Sequence, residues 1–180
     1  MTPEDLKFTT AWWERLLADD EKMVRWLQKL QATEFSGYQD NRDAAARWGG
    51  GNPAVENVFI QTGDDEMRHS DLLIDVLRGR GAWPIENPPP ESAYWAEMEA
   101  VTDSLEACAA VFHLGEQLAA DRFVVMYGHK RTPADILYFL HHALPDERHH
   151  ARVFRKLTND ATLARITQAH NEAVVRLKGS

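Results

Sequence analysis

Two short runs in this sequence carry the same chemistry: Glu66-Met67-Arg68-His69 and Glu147-Arg148-His149-His150, each a glutamate followed three residues later by a histidine. At 3.6 residues per turn, positions i and i+3 share a face, so each run offers one carboxylate and one imidazole in the same direction. Two further glutamates precede them at matching distances: Glu34 lies 32 residues before Glu66, and Glu116 lies 31 residues before Glu147.

All four glutamates interrupt apolar stripes. Glu66 and His69 share a face with Val55, Phe59, Thr62, Leu73 and Leu77, and Glu147 and His150 with Ile136, Leu140, Ala143, Phe154 and Leu157. Glu34 falls with Met23, Leu27, Leu30 and Tyr38, and Glu116 with Leu105, Ala109, Phe112, Phe123 and Tyr127. Solvated charges occupy the opposite faces, as Arg25 and Lys29 or Asp71 and Asp75 do. A core-facing carboxylate is costly unless it is paired, protonated or bound to metal. Four of them, one at the middle of each of four helices, call for a common explanation. Equal spacing in antiparallel hairpins brings them to one level.

The elements that must position these groups are helical, and no alternating strand pattern is present. Breakers fall at Gly49 to Pro53, Gly79 to Gly81, Pro84 to Pro90, Gly128 to Pro133 and Thr158-Asn159. A capping side chain followed by proline recurs as Thr2-Pro3, Asn52-Pro53 and Thr132-Pro133, and each pair predicts a helix start. The reading is a short helix near 3–17, long helices near 20–48, 53–78, 102–127 and 133–157, and a last helix near 160–178. The connection after Arg80 is long and proline-rich, enough to travel the bundle and start the third long helix parallel to the second. One domain covering 1–180 is expected, an all-α four-helix bundle with a long crossover between helices 2 and 3 and an extra short helix at each end.

One glutamate from each of two helices and Glu-x-x-His from each of the other two resembles the ferritin-like di-iron carboxylate superfamily. The resemblance spans about residues 20 to 157; Asp65-Glu66-Met67-Arg68-His69 is similar to bacterioferritin, and Glu147-Arg148-His149-His150-Ala151 to rubrerythrin-type proteins. It implies that Glu34, Glu66 and His69 serve one metal and Glu116, Glu147 and His150 the other, with Glu66 and Glu147 bridging. Hard oxygen donors with one imidazole per ion suit two iron ions, with manganese as the alternative, better than zinc. The implied function is a di-iron oxidoreductase of the oxidase, oxygenase or peroxidase type. It would activate O2 or peroxide, draw electrons from a donor the sequence does not name, and oxidise a small-molecule substrate. A ferroxidase or iron store, and a helical interaction module stapled by metal, are the alternatives. The cysteine-bound iron module of rubrerythrin has no counterpart here.

Several other residues can be weighed against the same centre. His113, one turn before Glu116, is a candidate additional ligand, against a core histidine. Tyr38, one turn beyond Glu34, is a candidate redox phenol or hydrogen-bond partner of the ligands, against a plain core tyrosine. Met67 matches the haem-ligand position of bacterioferritin, but an exposed or interface methionine explains it without haem. His149 points about 100° from His150 and is expected at the surface. His141 and His142 precede Pro145, which is expected to bend their helix. The tryptophans read as packing and interface residues, with Trp12 and Trp13 marking an N-terminal helix that docks on something apolar.

The whole chain bounds these readings. Its 180 residues carry a net charge of -8, which disfavours a general nucleic-acid binder. The single cysteine, Cys108, excludes an intramolecular disulfide and fits a reduced cytoplasm. No apolar run of about 18 residues occurs and the N-terminus lacks a signal-peptide pattern, so a cytoplasmic protein without a membrane span is expected, as a homodimer or larger oligomer.

Overall fold

A computed structural model describes residues 1–86 and 93–179. Residues 87–92 and Ser180, and with them Pro88, Pro89 and Pro90 of the expected breaker stretch, lie outside the described residues. Seven helices and no strand occur among the described residues: α1 (Pro3–Leu17), α2 (Asp20–Trp48), α3 (Pro53–Gly79), α4 (Ala93–Glu99), α5 (Leu105–Gly128), α6 (Ala134–Arg155) and α7 (Asp160–Gly179).

The helix starts follow from local chemistry. Thr2 and Asp5 form a reciprocal capping box ahead of α1, Asp19 accepts from the Lys22 amide at α2, Asn52 from the Ala54 amide at α3, and Ser104 from the Ala107 amide at α5. The Thr132-Pro133 start differs from expectation. Pro133 itself takes the cap position of α6 without a side-chain hydrogen bond. Thr132 is drawn inward instead, where its hydroxyl donates to the Met126 carbonyl oxygen at 2.5 Å and accepts from the Trp13 indole at 3.0 Å. Pro145 lies inside α6 without ending it. The crossover holds a helix the periodicity did not predict, α4, because seven residues are too few to show a stripe.

Residue pairs fix the topology. Gln31 meets Ser70, Gly37 meets Glu66 and Asn41 meets Gly63, so α2 and α3 run antiparallel. Phe112 meets Phe154, His113 meets Ala151 and Phe123 meets Phe139, so α5 and α6 do the same. Between the hairpins, Asp65 meets His150 and His69 meets Asp146, which makes α3 and α6 antiparallel. The connection after α3 must therefore start α5 parallel to α3, as the length of the crossover predicts.

The core divides into layers. At one end Leu27, Leu73, Leu77, Phe123, Ile136 and Phe139 pack together, closed by Trp13 of α1, while at the other Phe59 and Phe154 pack with Ala109, Cys108 and the half-buried Phe112. The two runs of stripe residues place the glutamates and ligand histidines between these apolar layers. The apolar surface that Trp12 and Trp13 seek is the bundle itself: their rings pack against each other and against Trp26 of α2. On the outside, α7 packs against α4 and α5 through Tyr94, Met98, Ala107, Ala110, Val111, Ile166 and Ala173. The stripe of α5 drifts at its C-terminal end: Met126 is buried, and Tyr127, expected on the core face, is exposed.

Leu73 is completely buried in the layer above the polar residues. Leu73→Ala is expected to cost about 2–5 kcal/mol in urea unfolding of the metal-free protein, whereas Lys29→Ala on the solvated face stays within about 0.5 kcal/mol.

Candidate metal centre

The six residues singled out by spacing converge. Glu34, Glu66, His69 and Glu147 present ligand atoms within 4.8 Å of one another, and so do Glu66, Glu116, Glu147 and His150. Glu66 and Glu147 belong to both groups. Five of the six are buried, and the Glu116 side chain retains 13% exposure.

The contacts inside the cluster are close without being hydrogen bonds. His69 Nδ1 lies 3.3 Å from Glu34 Oε2 and 3.4 Å from Glu147 Oε1, and His150 Nδ1 lies 3.3 Å from Glu66 Oε1 and 3.9 Å from Glu116 Oε2. Yet Glu34 Oε2, Glu66 Oε1, Glu147 Oε1 and both Nδ1 atoms are buried with no hydrogen-bond partner. Buried polar atoms left unpaired are rare and costly, so five of them aimed at one small volume mark a place for cations. Charge gives the same answer: four carboxylates balance two divalent ions. Gly37 supports the arrangement, since a Cβ there would come within 3.3 Å of Glu66 Cγ and Oε2.

Each histidine is aimed by an aspartate from the opposite helix. His69 Nε2 of α3 faces Asp146 Oδ2 of α6 at 3.2 Å, and His150 Nε2 of α6 faces Asp65 Oδ2 of α3 at 3.1 Å. Both aspartates are held below the usual carboxylate range, above all by these histidine bonds. They accept from Nε2, so that when the imidazole gives up its second proton it is Nδ1 that turns a lone pair toward the cluster. The Arg68 guanidinium ties the two aspartates together at the surface, bonding Asp65 and reaching Asp146 Oδ2 at 3.2 Å. Asp65, Asp146 and Arg68 had no role in the sequence reading. The signal was present, because both runs are Asp-Glu-x-x-His.

Of the two further candidates, neither reaches the centre. His113 belongs to neither ligand group; its Nδ1 bonds the Ala151 carbonyl oxygen at 2.8 Å, a partner supplied by the antiparallel register of α5 and α6. Tyr38 makes no hydrogen bond to the ligands. The 40° drift of a four-residue step turns its ring to the flank, against Phe35 and under the Arg42 guanidinium at 5.2 Å. Met67 is half-buried, His149 and His141 are exposed, and burial pushes the Cys108 thiol up to about 12, which keeps it protonated.

In the metal-free protein protons occupy the place of cations. Burial, then the charge of Glu66, raises Glu34 from 4.5 to about 8 and Glu147 from 4.5 to about 7. Burial and the charges of Glu147 and Glu66 lift Glu116 well above its usual value. Burial also works against charge on Glu66, but the facing His150 and Glu34 side chains, with the charges of His69 and His150, outweigh it and hold this carboxyl low. On His150 burial opposes the proton, but Asp65 and Glu66 prevail and raise it to about 10; His69 is raised further against the same opposition, by Asp146, Glu147 and Glu34.

The chain matches no family model, no curated protein and no solved structure. No helix among the described residues is long and apolar enough to cross a membrane.

Two expectations follow from this geometry. Glu66→Gln or Glu147→Gln removes a member of both groups and should abolish binding of both ions, whereas Glu34→Gln should leave one ion per chain by elemental analysis. The raised groups bind more protons folded than unfolded. Their contribution to stability is full below 4.5 for the glutamates and is lost as pH rises through about 7 and 8. Manganese(II) replaces those protons, so its gain in Tm should be larger at pH 8 than at pH 6; an equal gain at both would show that no protons are displaced.

Proposed function

We propose that this chain is a ferritin-like bundle that holds two iron ions on Glu34, Glu66, His69, Glu116, Glu147 and His150 and uses them to activate O2 or peroxide against a small organic substrate. The observation that carries the reading is the sharing of Glu66 and Glu147 between two ligand groups, which is what a pair of adjacent ions bridged by carboxylates requires. The order of the helices supports it: two antiparallel hairpins joined so that α3 and α5 run parallel. Three carboxylates and one imidazole per group favour iron, or manganese, over the four-coordinate thiolate and imidazole sites typical of structural zinc.

A bound, reduced iron pair would supply two electrons to dioxygen or peroxide. The protein's own contribution is positional. Glu66 and Glu147 neutralise both ions at once, Glu34 and Glu116 complete the charge on either side, and Asp65 and Asp146 hold the imidazoles in the tautomer that binds metal. Apolar layers above and below, formed by Leu73 and Phe139 on one side and Phe59 and Phe154 on the other, keep water from the reacting centre. The reading places the protein in a reducing cytoplasm with a separate electron donor.

Anaerobic loading with iron(II), followed by an oxygen pulse, tests it. The expected result is two irons per chain, rapid oxygen consumption, and loss of that consumption in Glu66→Ala and Glu147→Ala proteins with unchanged helicity. Unreactive metal would refute an oxidase and leave a structural staple, and a shell that accumulates large amounts of iron would show storage instead.

A further inference from the structure

Between the ligand cluster and the layer of Phe59 and Phe154, α2 and α3 carry two buried polar side chains that have no role in the centre. Asn41 is 1% exposed and Thr62 2%. Both fall on the core-facing stripes of the ligands: Asn41 follows Glu34 by seven residues on α2, and Thr62 precedes Glu66 by four on α3. The antiparallel register brings them level, since a Cβ at Gly63, the neighbour of Thr62, would stand 3.2 Å from Asn41 Cβ.

Neither side chain is satisfied by the protein. The Asn41 amide is fixed through Nδ2, which donates to the Gly37 carbonyl oxygen at 2.9 Å and leaves Oδ1 as the free end. Oδ1 is buried with no hydrogen-bond partner among the described residues. The Thr62 hydroxyl makes no hydrogen bond among them either, whereas those of Thr10 and Thr33 donate to the carbonyl one turn back. A buried oxygen without a donor is costly, and the adjoining rings of Phe59, Phe112 and Phe154 have none to offer.

No element separates this pair from the cluster. Side chains lean toward the N-terminus of their own helix, so Glu66 leans toward the turn of Thr62, and Asn41 leans back toward the ligands. Gly37, which accepts from Asn41, is also the residue whose Cβ would come within 3.3 Å of Glu66 Oε2.

We propose that Asn41 Oδ1 and the Thr62 hydroxyl bind a small hydroxyl compound beside the centre, water at rest and hydrogen peroxide in turnover, and so favour peroxide over dioxygen as the oxidant. Oδ1 only accepts, so its ligand must bring an O–H, and dioxygen has none. The threonine hydroxyl donates to or accepts from the same molecule, which gives it the two polar partners that a buried water requires. The assignment to peroxide rests on the oxidase reading, whereas the binding of a hydroxyl donor does not.

A crystal structure of the metal-free protein reads the site directly. One ordered oxygen should lie about 3 Å from both Asn41 Oδ1 and Thr62 Oγ1. A void there, or a protein donor closing on Oδ1, overturns the proposal. In the iron(II)-loaded protein, Asn41→Leu and Thr62→Val should each lower the rate of iron oxidation by hydrogen peroxide, relative to that by dioxygen, about tenfold, the loss of one hydrogen bond. Iron content should be unchanged, and Thr62→Ser should keep the ratio of the unaltered protein. An unchanged ratio in Asn41→Leu and Thr62→Val overturns the proposal and leaves a structural water. Iron unreactive toward both oxidants in the unaltered protein, with the ordered oxygen in place, would instead count against the oxidase reading and leave the hydroxyl site standing.

Discussion

Four carboxylates held at one height inside a helical bundle set the terms for everything around them. Each would prefer water, and the apolar layers on both sides deny it. Protons meet part of the demand in the metal-free protein, where Glu34 and Glu147 are raised to about 8 and 7. Divalent cations would meet all of it, because they would also engage the unpaired imidazole nitrogens. The burial that would favour a metal here is thus the same burial that raises the carboxyl groups in its absence.

The convergence of the six candidate ligand residues was legible in the sequence because the information is local. Helical pitch alone puts Glu66 with His69 and Glu147 with His150, and near-equal spacing puts Glu34 and Glu116 level with them. Helix starts were legible where proline follows a side chain that caps its own helix, as at Thr2-Pro3 and Asn52-Pro53, whereas the Ser104 cap starts α5 at Leu105 rather than near 102. What was not legible depends on partners far away in the chain. Thr132 looks like a cap, but Trp13 captures it across 119 residues of separation. Tyr127 continues a stripe that the bundle has already left behind, and Met126 takes the buried place. Asp65 and Asp146 precede the ligand runs identically, yet their roles arise only because α3 and α6 meet in one register.

The two sides of α5 divide labour. Its inner face contributes Glu116 to the candidate ligand cluster, while its outer face packs Ala107, Ala110 and Val111 against α4 and α7. A single helix thereby ties the glutamate–histidine cluster to the packing of α4 and α7.

The crossed histidine–aspartate pairs have a mechanical consequence. Because His69 is tied to Asp146 and His150 to Asp65, sliding α3 past α6 by one turn, about 5.4 Å, would break both ties together. The pair acts as a latch against translation, with Arg68 as its clasp. Glu34 and Glu116 sit on helices outside that latch. The crossed pairs thereby set α3 and α6 as the frame toward which the Glu34 and Glu116 carboxylates are brought from α2 and α5.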